Sequence, residues 1–311
     1  MTGRRFVTCD GTALSVRTSG PEDAPVTLVL AHAWTQDHTS WDPILPLLPP
    51  GLRVIRYDHR GHGGSAPARP GTATVAVLAD DLAELVTELA PTGPLVLAGH
   101  SMGGMAVMAL AERYPELVDA RVAGVAFIAT SCSGLDRLTL GLPGVAGRAA
   151  ARVEKVFGRL LSRSGKEFLP LPGALARPWT RWLAFGKGAS RADVRAMTDQ
   201  FLRAHPSSIG GFRDSMSWHD RRAALSVLRG KPTVIMAGDR DRITPLPHAR
   251  VIAEELPEAE FVIYPDAGHE LPYERTRDVA ARLSALLDRA AADAAGGSRR
   301  RFRATRGSRS G

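Results

Sequence analysis

The sequence predicts an α/β protein: a mostly parallel central sheet flanked by helices, with a helical cap inserted into it. Three observations lead there. Short apolar runs alternate with helical stretches from residue 26 to 132 and again after residue 232, the rhythm of parallel strands joined by crossover helices. Residues 133–229 break that rhythm, with no clear strand and several helical stretches. Finally, Gly99-His100-Ser101-Met102-Gly103 stands between a strand-like and a helix-like segment, the context in which G-x-S-x-G holds a nucleophile at a sharp turn.

Taken in order, Phe6–Thr8 and Ala13–Thr18 read as two strands joined at Asp10-Gly11, a hairpin signal. Val26–Ala31 is a continuous apolar strand of the buried type. A short helical stretch spans Trp41–Leu48, and Arg53–Asp58 is the next strand. Val75–Leu89 places Leu78, Leu82, Leu85 and Leu89 three and four apart, so it is an amphipathic helix. Pro94–Ala98 precedes the serine motif as a strand, and Gly104–Tyr114 follows it as a helix ending before Pro115. Val122–Ala129 is the next strand. Within 133–229 the helical stretches are Gly147–Leu161, Arg191–Ala204 and Arg221–Leu228. Thr233–Ala237 and Glu260–Tyr264 are the last strands, with helices over Leu246–Leu256 and Glu274–Ala292. The implied organisation is a core of residues 1–132 and 230–293, a cap of 133–229, and a disordered basic tail of 294–311 rich in Gly, Ser and Arg.

The chain has 311 residues, 44% hydrophobic and 23% charged, ordinary for a globular protein. No run approaches the roughly 18 apolar residues of a membrane span. The first residues lack the apolar core of a secretory signal, and two cysteines, Cys9 and Cys132, make no disulfide framework; a reducing cytoplasm is the expected compartment. The net charge of +8 is uneven: residues 133–230 hold 17 Lys and Arg against 7 Asp and Glu, and residues 298–311 hold six Arg and no acid. The basic tail is read as a solvated extension with no specific nucleic-acid role. The basic cap is read as a solvated face; an anionic or carrier-linked acyl substrate is the alternative.

A serine hydroxyl is a weak nucleophile and needs a base, itself oriented by a carboxylate. The helix N-terminus after Ser101 offers free N–H groups to a developing oxyanion. Among nine histidines, His269 stands in a loop between the last strand and the last helix, where open α/β sheets place their sites. Asp239 and Asp241 both lie just past the end of Thr233–Ala237. His59 and His62 share a loop without a carboxylate or cysteine pattern that would call for a metal. Gly61–Ala66 imitates a dinucleotide fingerprint, but Pro67-Ala68-Arg69-Pro70 follows where a helix should open. No cofactor is expected. The cap aromatics read as cap core, with Trp179, Trp182 and Trp218 as candidates to line an apolar substrate pocket, and His32 and His100 as candidates beside the serine.

The order Ser101…Asp241…His269 resembles that of the α/β-hydrolase fold superfamily. More narrowly, the chain resembles its capped serine hydrolases: esterases, lactonases, carbon–carbon bond hydrolases and cofactor-free haloperoxidase-like perhydrolases. Gly238-Asp239-Arg240-Asp241-Arg242-Ile243-Thr244-Pro245 matches the family's G-x-x-D-x-x-x-P acid loop, which makes Asp241 the acid. His32-Ala33-Trp34 resembles the H-G-x oxyanion loop, which implies backbone N–H donors from Trp34 and Met102 at about 3 kcal/mol each. Ala33 stands where the family usually has glycine; a positive φ there would cost an alanine about 1 kcal/mol. Asp58-His59-Arg60-Gly61-His62-Gly63-Gly64-Ser65 resembles a structural loop in which Asp58 and Arg60 pin neighbouring segments. The resemblance covers residues 6 to about 290 and implies two-step hydrolysis of a carboxylic ester, or a related lactone or thioester, through an acyl-enzyme. A serine nucleophile argues against epoxide hydrolases and haloalkane dehalogenases, which use aspartate there. Two other readings remain open: a non-hydrolytic lyase or cyclase on the same fold, and a ligand-binding scaffold.

Overall fold

The computed structural model describes residues 2–137, 140–142, 144–169 and 171–307. Among the described residues, eight strands form one sheet in the order β1-β2-β4-β3-β5-β6-β7-β8. The hairpin β1 (Thr2–Val7) and β2 (Ala13–Ser19) is antiparallel, and β2 pairs antiparallel with β4 (Arg53–Tyr57). From β4 onward, β3 (Thr27–Ala31), β5 (Leu95–His100), β6 (Val122–Ile128), β7 (Thr233–Gly238) and β8 (Glu260–Tyr264) are all parallel. Every residue of β3, β4, β5 and β7 is buried, as a sheet covered on both faces requires.

The predicted α/β class is what the chain adopts. One face of the sheet is covered by α1 (Val75–Leu89), α2 (Met102–Arg113) and α3 (Pro115–Arg121), with Leu78, Leu82 and Leu85 of α1 in the same core cluster as Met105 and Val107 of α2. The short α3 goes beyond expectation: Pro115 ends α2 but sits in the first turn of α3, where its missing N–H costs nothing. Over Trp41–Leu48 the chain forms two 3-10 turns, His38–Trp41 and Leu45–Leu47, in place of a helix, because Asp37 caps the first and Pro46 opens the second.

Between β6 and β7 the chain leaves the sheet for α4 (Gly144–Ser162), α5 (Gly173–Ala184), α6 (Arg191–Arg203) and α7 (Pro206–Ser217), followed by a 3-10 turn at Ala223–Leu228. The helices α5 and α7 were not predicted. Pro178 inside α5 and Gly210-Gly211 inside α7 are poor helix formers, and tertiary packing overrides them. After β7 come α8 (Leu246–Glu255), then β8, a single turn α9 (Leu271–Glu274) and α10 (Thr276–Gly307). The other face of the sheet packs on α10 through Val279, Leu283, Leu286 and Leu287. This helix runs past residue 293 into the segment expected to be disordered. Extending an existing helix fixes one residue per hydrogen bond with no new nucleation, and Arg and Ala favour it. Residues 308–311 of that tail lie outside the described residues.

Two loops at the carboxyl edge of the sheet are locked by buried charge. Arg60 donates to Asp81 on α1 (2.8 and 2.5 Å) and to Asp10 in the β1–β2 turn (2.7 Å). Asp58 accepts from the backbone N–H of His38 (2.7 Å) and of Gly64 (2.9 Å) and pairs with the His38 ring. Asp58 thus ties the loop after β4 to the loop after β3, and Arg60 ties it to α1 and to the β1–β2 turn.

Candidate active site

Ser101 sits at the junction of β5 and α2 with φ 52 and ψ −115, a strained conformation for a residue with a side chain. The strain is held by two hydrogen bonds to the serine's backbone: Ser101 N–H donates to Ile128 O (2.9 Å), and its carbonyl accepts from Thr130 Oγ1 (2.7 Å). The flanking glycines are forced by crowding. A Cβ on Gly99 would lie 2.4 Å from Gly104 N, and one on Gly103 would lie 2.2 Å from Ala31 O. So α2 can start this close to β3 and β5 only if both positions lack a side chain.

The loop after β7 builds a cradle for Asp241. Its Oδ1 accepts from the N–H of Ile243 and of Thr244 (2.8 Å each), and its Oδ2 accepts from Thr244 Oγ1 (2.8 Å). His269 Nδ1 donates to the same Oδ2 at 2.8 Å. Both side chains are buried. Burial opposes the charged forms, but the pairing outweighs it: the His269 pKa is raised above its ordinary value and that of Asp241 is lowered. Asp239, by contrast, is exposed and 3.9 Å from Arg240 Nε.

Ser101 and His269 line one cavity of about 180 Å³ beneath the inserted helices. Trp34 and Thr35 border it from the loop after β3; Met105, Phe157, Trp179 and Met197 supply apolar wall. A volume below the roughly 300–1,000 Å³ of a drug-sized site favours a short or slender apolar group. The segment carrying Trp34 is tied to the insertion: Trp34 Nε1 donates to Ile209 O (3.1 Å), and Asp37 pairs with Arg203 (2.6 Å) and accepts nothing from Gln200, whose Oε1 instead accepts from Asp37 N–H (3.2 Å). Ala33 is not among the residues with positive φ; that conformation falls on Thr35 (φ 66), so the missing glycine carries no backbone strain here. Met102 lies in the first turn of α2, where N–H groups have no intrahelical acceptor.

Four of the proposed pocket residues lie elsewhere. His32 is buried under the loops: its Nε2 accepts from His59 N–H (2.9 Å), so its Nδ1 donates to Ala33 O (2.8 Å). His100 does not line the cavity; its Nε2 donates to His269 O (2.9 Å), a brace for the histidine loop, and burial pushes its pKa down to about 3. Trp182 stacks on Trp179 at 4.9 Å with the Arg242 guanidinium 5.2 Å above it. Trp218 ends α7 on the surface, 76% exposed. Only Trp179 of these candidates lines the cavity. Composition could not separate them, because which face of each helix meets the sheet depends on how the insertion folds.

Glu270 was missed, although a carboxylate directly after a candidate base is a sequence signal. It lines the cavity, fully buried, with Oε2 accepting from Gln36 Nε2 (2.6 Å). Its Oε1 and the Gln36 Oε1 are both buried without a partner. Burial pushes the Glu270 pKa up to about 7, against the opposing pull of His269. His100, His269 and Glu270 place potential metal-ligating atoms within 4.8 Å of one another, as do Asp37, His38 and Asp58. Of these groups, His100 Nε2, His269 Nδ1, His38 Nδ1 and one oxygen each of Asp37 and Asp58 make hydrogen bonds or ion pairs within the protein, whereas Glu270 Oε1 has no partner.

The fold and this arrangement define an α/β hydrolase, and comparison with known proteins agrees. The family model for the alpha/beta hydrolase fold matches residues 26–276, and the chain belongs to that family. A pimeloyl-[acyl-carrier protein] methyl ester esterase of Aromatoleum aromaticum is 29% identical over 246 residues, 78% of this chain and 90% of that one. A bifunctional esterase/perhydrolase of Acinetobacter calcoaceticus is 26% identical over 290 residues, 90% of this chain and 98% of the other. The solved structure of a thermophilic esterase from Thermogutta terrifontis superposes with a TM-score of 0.74 at 26% identity, covering 93% of this chain and 99% of that one.

Proposed function

We propose that the protein is a serine esterase acting on carboxylic esters with apolar acyl groups. The observation that carries this reading is the Asp241–His269 pair at 2.8 Å beside a cavity that Ser101 also lines. His269 takes the Ser101 proton as the oxygen attacks the ester carbonyl. The N–H groups of Trp34 and Met102 hold the oxyanion, each contributing about 3 kcal/mol. His269 then protonates the leaving alcohol, and water attacks the acyl-enzyme by the same route in reverse. Asp241 keeps the proton on Nδ1, so Nε2 is free to act as base. Esterases among its relatives support ester substrates; the apolar cavity wall supports an apolar acyl group.

Labelling with a fluorophosphonate tests this, with the adduct mapped by mass spectrometry. Modification of Ser101, lost in Ser101→Ala, is expected, together with a drop of about a millionfold in kcat for that variant. Turnover retained in a folded Ser101→Ala protein would refute the assignment.

A further inference from the structure

The helix α4 has three faces. At about 100° per residue, Gly147, Gly158 and Leu161 fall on one side and are buried. Val145, Val153, Val156, Phe157 and Leu160 fall within a sector of about 120° and are exposed, Val145 by 73%, Val153 by 69% and Leu160 by 63%. Arg148, Arg152, Lys155 and Arg159 occupy the sector beside the apolar one and are exposed as well. A solvated surface helix has no reason to hold out five bulky apolar side chains next to a row of cations. The band extends beyond α4 through Phe168 and through Leu175 of α5.

Phe157 and Trp179 belong both to this outer band, each about half exposed, and to the cavity wall. The mouth of the cavity therefore opens on the apolar band. Residues 144–187 carry nine Lys and Arg against two Glu, so the surface that complements it is anionic.

We propose that this face docks on an anionic lipid surface and takes ester substrates dissolved in that surface, which rests on the esterase reading. Basic residues would meet the headgroups while the valines, leucines and aromatic rings enter the boundary of the acyl region. An ester would then pass from lipid to cavity without crossing water. A second copy of the chain fits less well, since it would set the same cations against themselves. An acidic carrier protein would meet the cations but would place charged residues against the apolar band.

Vesicle flotation of the full chain tests the proposal. Binding is expected to equimolar phosphatidylcholine and phosphatidylglycerol, and not to phosphatidylcholine alone. Val153→Glu with Leu160→Glu should lower binding at least tenfold. Arg148→Ala, Arg152→Ala and Arg159→Ala together should lower it roughly a hundredfold, at about fivefold per cation. Both variants should keep hydrolysis of a short water-soluble ester unchanged. The C-terminal arginines also attract anionic vesicles, so binding that is undiminished in both variants overturns the proposal. Equal binding to neutral vesicles overturns it too. So does an absence of flotation, including where the same variants abolish self-association or capture of an acidic carrier protein. Flotation needs no turnover, so its failure counts against docking, whereas failed hydrolysis of the soluble ester counts against the esterase reading.

Discussion

Glu270→Gln is the perturbation whose size the structure determines best. The wild-type carboxyl is buried, and its pKa is pushed from 4.5 up to about 7 by desolvation, with Glu274 and Asp241 adding to the rise and His269 and Gln36 opposing it. A folded-state pKa above the unfolded value means that the fold disfavours the charged form. The group's contribution is fully present below pH 4.5 and is lost as the pH rises through about 7. At about 1.4 kcal/mol per pH unit, the loss above pH 7 amounts to roughly 3 kcal/mol. Glutamine cannot ionise, and it imitates the protonated acid: it still accepts from Gln36 Nε2, and its own amide can donate to Gln36 Oε1, which now lacks a partner. The variant should therefore unfold in urea at nearly the wild-type free energy at pH 4.5, and be more stable than wild type by up to about 3 kcal/mol at pH 8. Loss of a negative charge next to His269 should also move the acid limb of kcat/KM to lower pH. A stability difference that is the same at both pH values would show that Glu270 does not titrate in this window and sink the argument.

Asp241→Asn should leave the fold intact and lower kcat about 10⁴-fold, because nothing then holds the proton on Nδ1. His269 acts as base when neutral, and Asp241 raises its pKa, so the residual activity should persist to lower pH; a pH–rate profile with an unmoved acid limb would count against the pairing. Arg60→Met should cost about 3–5 kcal/mol by leaving Asp81 buried and unpaired. Burial already pushes Asp81 up to about 6, so that loss should be larger at pH 8 than at pH 5, and Asp81→Leu added to it should recover most of the stability. Equal unfolding free energies for Arg60→Met and wild type would remove this pair from the account of the loops.

The fold class and the residues that meet around the cavity were legible in the sequence because each is specified within a few neighbours. Gly99 and Gly103 mark a close approach that only glycine permits, and their spacing around Ser101 follows from it. Asp241 and Thr244 sit three apart so that the hydroxyl and N–H groups of one turn can close on the carboxylate. Buried strands such as Thr27–Ala31 declare themselves by unbroken apolar runs. What could not be read were contacts made by distant segments. Nothing near His100 shows that its ring braces the His269 carbonyl 169 residues away, and nothing near Trp218 shows that it ends a helix facing water. The helix α5, interrupted by Pro178, exists because it packs on α6 through Ala184, Phe185 and Met197, not because its residues favour helix.

The same distinction explains why the candidate site is tied together where it is. Ser101, Asp241 and His269 are each locally held, but a shared geometry needs the loops that carry them to keep fixed distances. Long-range hydrogen bonds do this, the His100 brace and the Asp37–Arg203 pair among them. Gln36 to Glu270 joins the loop after β3 to the histidine loop across 234 residues of sequence. Trp34 to Ile209 joins that loop to α7, and His269 N–H to Ala184 O (2.8 Å) joins the histidine loop to α5. The insertion therefore does more than cover the cavity: it fixes the positions of both loops that border Ser101. A displacement of α5 would strain the bond that holds the His269 backbone, and one of α7 the bond that holds the Trp34 ring. Since a misplacement of about 1 Å can cost 10²-fold in rate, substitutions that shift the α5 or α7 backbone should lower kcat and leave the stability of the sheet unchanged, whereas exchanges of solvent-exposed side chains that leave both helices in place should not.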